Sequence, residues 1–393
     1  MNMGDMLGPE FDRIERGGLI AGLVLVAIAI IDGAIRSPEQ FFRSYLLAYV
    51  FWLGFPLGCT AFLMVHYLTG GKWGLPIKRP LEAAAATFPL LAVLIIPLLF
   101  GLGHLYAWAN PATVAGDPTL QFKARYYLNV PFFLIRQLIY FSIWSWIIYR
   151  VTSWSSQVDR TGDLDVEDRL ERMSGPALVL YGFTITFFSI DWVMSLEPHW
   201  FSTIFGMIFI VIQVQAAIAF SIIAARLLGA YEPVSTTMSA DRFNDLGNLL
   251  LTFVMLWAYL AFSQFVIIWA GDLVKEIPWY LTRAKTAWAG VAVALIVLYF
   301  GVPFALLLTR EVKRRVTVLA VVAGIVISLN FVDVYWMIVP SFHPTAPRFY
   351  LMDALLVLGM GCLWIAAFVW RLRTRPLLPL HDPRFEGALE NGD

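Results

Sequence analysis

Apolar runs long enough to cross a bilayer recur ten times along the chain, separated by short polar breaks. A hydrocarbon core of about 30 Å needs about 20 apolar residues in a helix. Runs of that kind fall at roughly 18–35, 42–66, 81–106, 126–150, 176–197, 203–228, 247–270, 286–309, 316–339 and 351–371. Pro56, Pro89, Pro97 and Pro303 lie inside these runs, which membrane helices tolerate because neighbouring helices take up the freed backbone groups. No linker or low-complexity stretch divides the chain. The expected fold class is therefore an all-α polytopic membrane protein, with residues 18–371 as one transmembrane domain, 1–17 as a lead-in and 372–393 as a tail. The longest polar break, 151–175, reads as a solvated connector with a short amphipathic helix from Leu164 to Met173, the alternative being a docking segment for a peripheral partner. No small-residue cleavage site follows the first apolar run, so the amino terminus reads as retained rather than as a signal peptide.

Charge sets the expected orientation. Lys and Arg at or beyond the span ends number 19 on the side of the amino terminus, the even-numbered loops and the tail, against 8 on the other side. The positive-inside rule then places both termini in the cytoplasm. Composition narrows the class further. The 393 residues are 59% hydrophobic and 14% charged, where soluble domains carry about 25% charged residues, so a water-soluble enzyme is excluded. Twenty-eight basic and 28 acidic residues cancel, so no basic excess points to nucleic acid. Cys59 and Cys362 stand alone in apolar stretches, which leaves no disulfide framework, iron–sulfur ligand set or CxxCH haem attachment.

Polar groups inside the spans carry the candidate chemistry. An ionised side chain at helix-centre depth costs about 2.5–3.5 kcal/mol on insertion scales, and such groups usually face a bundle interior, a cavity or a proton path. Arg136 lies near mid-membrane and needs a partner, with Asp191 nearest in depth. Gln213 enters from the outer face to a similar depth, and Asp333 lies seven residues before Pro340. The expectation is one cluster of Arg136, Asp191, Gln213 and Asp333 open to the outer face; the plainer reading is interhelical hydrogen bonding. Gln264 and Asp272 approach the outer end of the seventh span. Asp32, Asp272 and Asp353 are expected to be capped or solvated. No carboxylate is expected in the cytoplasmic half of any span.

Four outer segments are rich in His, Pro and Trp: those around His104, around Glu197-Pro-His199, around Pro278-Trp279-Tyr280 and around Pro340 to Pro344. An aromatic belt explains their tryptophans. Three histidines on one side, His104, His199 and His343, are candidates to accept protons, with Glu197 and His199 as an acceptor pair. A b-type haem needs two facing His at similar depth. His66 and His104 close opposite ends of their spans, and the other three are loop residues.

At these loops a resemblance emerges. Phe188-Ser-Ile-Asp191-Trp-Val-Met-Ser195-Leu-Glu-Pro-His199-Trp-Phe-Ser-Thr-Ile-Phe-Gly206 resembles the signature of ActF, the F membrane subunit of bacterial alternative complex III, a quinol:cytochrome c or quinol:electron-acceptor oxidoreductase. Gly70-Gly-Lys-Trp-Gly-Leu75, Tyr127 to Arg136, Trp257 to Gln264, Glu276-Ile-Pro-Trp-Tyr280, Asp333-Val-Tyr-Trp336 and Phe342-His-Pro344 are similar to the same subunit. The resemblance, to an NrfD-like (polysulfide-reductase-type) membrane subunit, implies two four-helix bundles, roughly 42–197 and 203–339, plus two flanking helices. No internal repeat is expected to mark them. It also implies a sister NrfD-like subunit, haem c and iron–sulfur clusters confined to partner subunits, and no redox cofactor in this chain. Quinone binding, menaquinone or ubiquinone, or proton half-channels would be its task. Asp191, His199, Asp333 and His343 carry over only as members of matching motifs.

Two other functions stand beside that of a quinol-oxidising subunit: a secondary transporter, which needs a midplane site reached from both faces, and a purely structural anchor. The orientation is testable by itself. Reporters fused to either terminus should be active only in the cytoplasm, and an amino terminus found in the periplasm would reverse every depth assigned above.

Overall fold

The computed structural model describes residues 8–232 and 234–378; the first seven residues of the expected lead-in and the tail beyond 378 lie outside it. Of the described residues, 83% are helical, and no strand occurs among them. Ten helical segments are long and apolar enough to span a membrane. They are Pro9–Ile35, Pro38–Thr69, Lys78–Phe100, Val130–Thr161, Asp165–Leu196, Phe205–Leu228, Ala240–Ala270, Trp288–Leu308, Val316–Ser341 and Leu351–Arg373, first to tenth in chain order. Ten crossings put both ends of the described chain on one face, the terminal face.

The second to fifth spans close one four-helix ring, each packing on its neighbours and the fifth returning to the second; the sixth to ninth do the same. The bundles meet where the second span packs on the sixth, with the fifth against the sixth and the ninth against the second. That cross-pattern is what a two-fold relation between bundles produces. The tenth span lies against the second, and the first lies against the tenth as the outermost helix. Burial follows this plan. The most apolar window of the second span is 94% buried and that of the first only 17%, so one is a central post and the other a lipid-facing strip.

Small residues make the central contact possible. With lipid as apolar as leucine, spanning helices associate through close packing at small side chains. At Gly58 a Cβ would lie 2.1 Å from the Gln213 carbonyl oxygen of the sixth span. No larger residue fits there without moving backbone.

Two expectations change. The segment 151–175 is not a loop: the fourth-span helix continues to Thr161 and the next begins at Leu164, leaving Gly162 in the left-handed region (φ 65°) and Asp163, which caps the second helix through the Asp165 amide. Hydropathy marks where a helix leaves lipid, whereas this helix ends only at a glycine. Secondly, an internal repeat does exist. Val130-Pro-Phe-Phe-Leu-Ile-Arg136 opens the fourth span, and Ile277-Pro-Trp-Tyr-Leu-Thr-Arg283 precedes the eighth; Asp191 and Pro198 at the end of the fifth span match Asp333 and Pro340 at the end of the ninth. The strings stand at or just before the start of the third helix of each bundle and around the end of the fourth.

The two copies differ in regularity. In the eighth span residues Leu295–Gly301 form a π-helical stretch, a rare feature frequent at functional sites. Pro303, just beyond it, lacks the amide that would bond the Tyr299 carbonyl. Gly58→Ala should destabilise the protein by roughly 1–3 kcal/mol through overpacking, read as a lower unfolding midpoint in detergent. Gly290→Ala, where nothing lies within 4 Å of the added methyl, should leave it unchanged.

Candidate functional site

In the first bundle the fourth span begins with Asn129 accepting from the Phe132 amide, which sets Arg136 two turns inside. Its Nε and Nη2 donate to Asp191 Oδ2 and Oδ1 at 2.9 and 2.8 Å, and Nη1 donates to the Tyr127 carbonyl at 2.9 Å. The guanidinium also lies over the rings of Tyr127 and Phe132, 3.9 and 4.5 Å from their centroids. Asp191 accepts further from Tyr140 Oη at 3.0 Å and Gln137 Nε2 at 3.3 Å. The carboxylate is fully buried and matched by charge-assisted donors on both oxygens, the strong form of such a pair. The partnership expected from depth is thus present.

The single cluster expected around it is not. Gln213 accepts from Tyr181 Oη at 2.8 Å, and Asp333 belongs to the second bundle. No hydrogen bond or ion pair joins either of them to Arg136 or Asp191 among the described residues. Depth along a helix says nothing about the direction a side chain takes around it.

In the second bundle Asp333 is buried and accepts a 2.9 Å hydrogen bond from Trp257 Nε1. It makes no ion pair among the described residues. Behind it, Asn330 Nδ2 donates to Tyr299 Oη, and that hydroxyl donates to Gln215 Oε1. Asp333 lines a cavity of about 750 Å³ between the seventh and eighth spans, walled by rings including Phe262, Phe265, Phe300 and Trp336. Such a volume is in the range of ligand pockets, apolar with a few placed polar groups. Its mouth is formed by exposed apolar residues, among them Met255, Tyr259, Phe262 and Ile296, so it opens sideways where lipid would be.

Gln264, Tyr280 and Arg283 supply the other polar groups of that wall. Gln264 accepts from Ser202 Oγ at 2.7 Å and donates to Tyr280 Oη at 3.1 Å. Burial pushes Tyr280 up to about 12, so it remains a neutral hydroxyl. Arg283, the repeat partner of Arg136, does not reach Asp333. Nη1 and Nη2 both donate to Glu197 Oε1 at 3.2 Å, across the boundary between bundles, and Ser341 Oγ donates to the same oxygen at 2.9 Å. Burial pulls the guanidinium down from its ordinary value while Glu197 opposes the pull; a guanidinium so paired stays charged at physiological pH.

The remaining candidates are scattered. Glu197 and His199 do not pair: His199 is exposed and bonds Asp117 at 2.8 Å. Desolvation works against Asp117, yet the Leu120 and Thr119 amides and His199 hold it below the usual carboxylate range. His104 is exposed and stacks on Phe42. His343 packs against Tyr350; burial, with Arg43 and Arg348 nearby, lowers its pKa, so at neutral pH it is uncharged. Asp353 caps the tenth span as expected, accepting from the Tyr350 amide at 2.7 Å, and is buried rather than solvated, with Ser44 Oγ donating to it at 2.5 Å.

A further correction concerns the terminal face. Glu82, on the second turn of the third span, is buried and bonded by Arg79 Nη1 at 2.6 Å, Ser155 Oγ at 2.5 Å and Arg375 Nη1 at 3.4 Å; Arg79 also binds Asp159. Carboxylates are therefore buried toward both faces. Sequence reasoning missed this cluster, Trp257 and Arg283. Only Arg283 left a signal, the repeated Pro-aromatic-aromatic-Leu-x-Arg string.

Compared with protein-family models and with curated proteins, the chain matches none.

Breaking a buried pair by removing one partner typically costs about 3–5 kcal/mol, because it strands a buried charge. Asp191→Asn should therefore cost about that much in detergent unfolding, and Arg136→Met combined with Asp191→Leu should cost less than either single change. An Asp191→Asn protein as stable as wild type would remove the pair from the structural account.

Proposed function

We propose that this chain is an integral membrane subunit of a quinol-oxidising respiratory assembly of the alternative complex III kind, and that its second bundle receives the quinol. One observation supports the site above all. The two bundles share a repeat, yet in the first the arginine and aspartate close on each other, and in the second they stay apart with a lipid-facing aromatic cavity between the spans. A quinol is a flat ring with a hydroxyl at each end and an isoprenoid tail. The rings and apolar mouth suit its body and tail, and Asp333 and the Gln264–Tyr280–Arg283 edge offer polar partners at the cavity's rim.

In this reading Asp333 takes a proton from one quinol hydroxyl, as a placed carboxylate can, while Gln264 and Tyr280 orient the ring. Oxidation releases two protons and two electrons; the protons leave toward the periplasmic face, and the electrons pass to haem or iron–sulfur groups of partner subunits. The likeness to the F subunit rests on the motifs quoted above. For Arg136 and Asp191 a different role is favoured: a carboxylate whose donors are all supplied by protein is a structural tie, so the anchor reading holds for the first bundle.

The test uses a photoreactive quinone analogue on the assembled complex in its native membrane. Label should fall on the seventh and eighth spans. Ala261→Phe, which fills the cavity, should abolish it, and Asp333→Asn should weaken it about tenfold, the worth of one charge-assisted hydrogen bond. Undiminished labelling in both variants would overturn the site, and isolation without any haem- or cluster-bearing partner would overturn the assembly.

A further inference from the structure

A second cavity, of about 380 Å³, lies at the terminal face between the third, fourth and tenth spans and shares no lining residue with the one that Asp333 walls. Its lining changes character with depth. Arg371, Thr374 and Arg375 come from the last turn of the tenth span and the residues just after it, with Glu82 and Thr152 beside them; Phe88, Pro89 and Ser145 lie deeper along their spans. Pro89 lies seven residues beyond Glu82 along the third span, which turns at Ala86 and Thr87, so it stands about 10 Å deeper at helical rise. Polar groups thus stand at the water end and apolar groups toward the hydrocarbon.

The charges are unbalanced. Glu82 is already bonded by Arg79, leaving Arg375 a longer contact at 3.4 Å. Arg371 makes no ion pair among the described residues and lies over the Trp370 ring, 4.4 Å from its centroid. Trp370 and Tyr149 are exposed around this end, the amphipathic rings that sit at headgroup level. Two guanidiniums, Arg371 and Arg375, with Glu82 as the one carboxylate in the lining and already bonded by Arg79, leave a positive excess with the hydroxyls of Thr152 and Thr374 close by.

We propose that this cavity binds the phosphodiester headgroup of an anionic phospholipid, Arg371 and Arg375 holding the phosphate and the glycerol and upper acyl carbons lying against Phe88 and Pro89. Basic pockets between spans on the positively charged side are the usual form of such sites. The apolar floor favours a lipid over free phosphate, which has nothing to place there. The proposal is independent of any quinol site.

The full-length protein, or its complex, washed free of native lipid in neutral detergent, is offered phosphatidylglycerol or phosphatidylcholine and examined by native mass spectrometry. Phosphatidylglycerol should be retained and phosphatidylcholine not. Arg371→Gln should cut retention about tenfold, Arg371→Lys should keep most of it, and Ala86→Phe should abolish it with every charge in place. Each variant's unfolding midpoint is read alongside, Ala86→Phe serving if Arg371→Gln fails to fold. Equal retention of both lipids, or retention unaffected by Arg371→Gln and by Ala86→Phe, would overturn the proposal. Displacement of the lipid by millimolar inorganic phosphate would overturn the lipid as occupant and leave a phosphate site.

Discussion

A guanidinium two turns inside a lipid-spanning helix has no water to meet it, so the protein around it must supply every partner. Arg136 shows how far this requirement reaches. Meeting it takes both oxygens of Asp191, the Tyr127 carbonyl and two ring faces. Holding Asp191 in turn takes Tyr140 and Gln137, and Gln137 accepts from Trp192 at 2.7 Å. The fourth and fifth spans are thereby locked in register at their opposite-face ends. Polar groups with complete partner sets rigidify a core; incomplete ones are where chemistry or error collects.

The second bundle departs from that solution. Its repeat arginine precedes the eighth span in a short separate helix, Ile277–Ala284, and turns to Glu197 at the end of the fifth span. Asp333 keeps a single indole donor and faces a cavity. Glu197 then links the halves, because a residue leaving the first bundle holds the cation that walls the second bundle's cavity.

Charge placement is two-ended. One buried network, Arg79, Glu82 and Asp159, ties the third span to the fourth at the terminal face; Arg136 and Asp191 tie the fourth to the fifth near the other. Between them the bundles meet through close packing, with Gly58 against the sixth span, and through a neutral hydrogen bond from Tyr181 to Gln213 at the same level. The buried ion pairs thus stand toward the two faces, and packing with neutral hydrogen bonds joins the helices between them.

The ten spans, their order and most of their limits were legible in the sequence, since hydrophobic length is set by bilayer thickness and reads linearly. So was the need of Arg136 for Asp191, which depth alone suggested. Direction around a helix was not legible, and it separated Gln213 from that pair; nor was the fold of the turn after the fifth span, where Glu197 goes to Arg283 and His199 to Asp117. The helix running on to Thr161 escaped a hydropathy reading because polar residues continue a helix once it has left lipid. Only the packed structure could show which repeat arginine meets which carboxylate, because that depends on how the spans and the short helix Ile277–Ala284 pack together, not on the spacing of residues along any one of them.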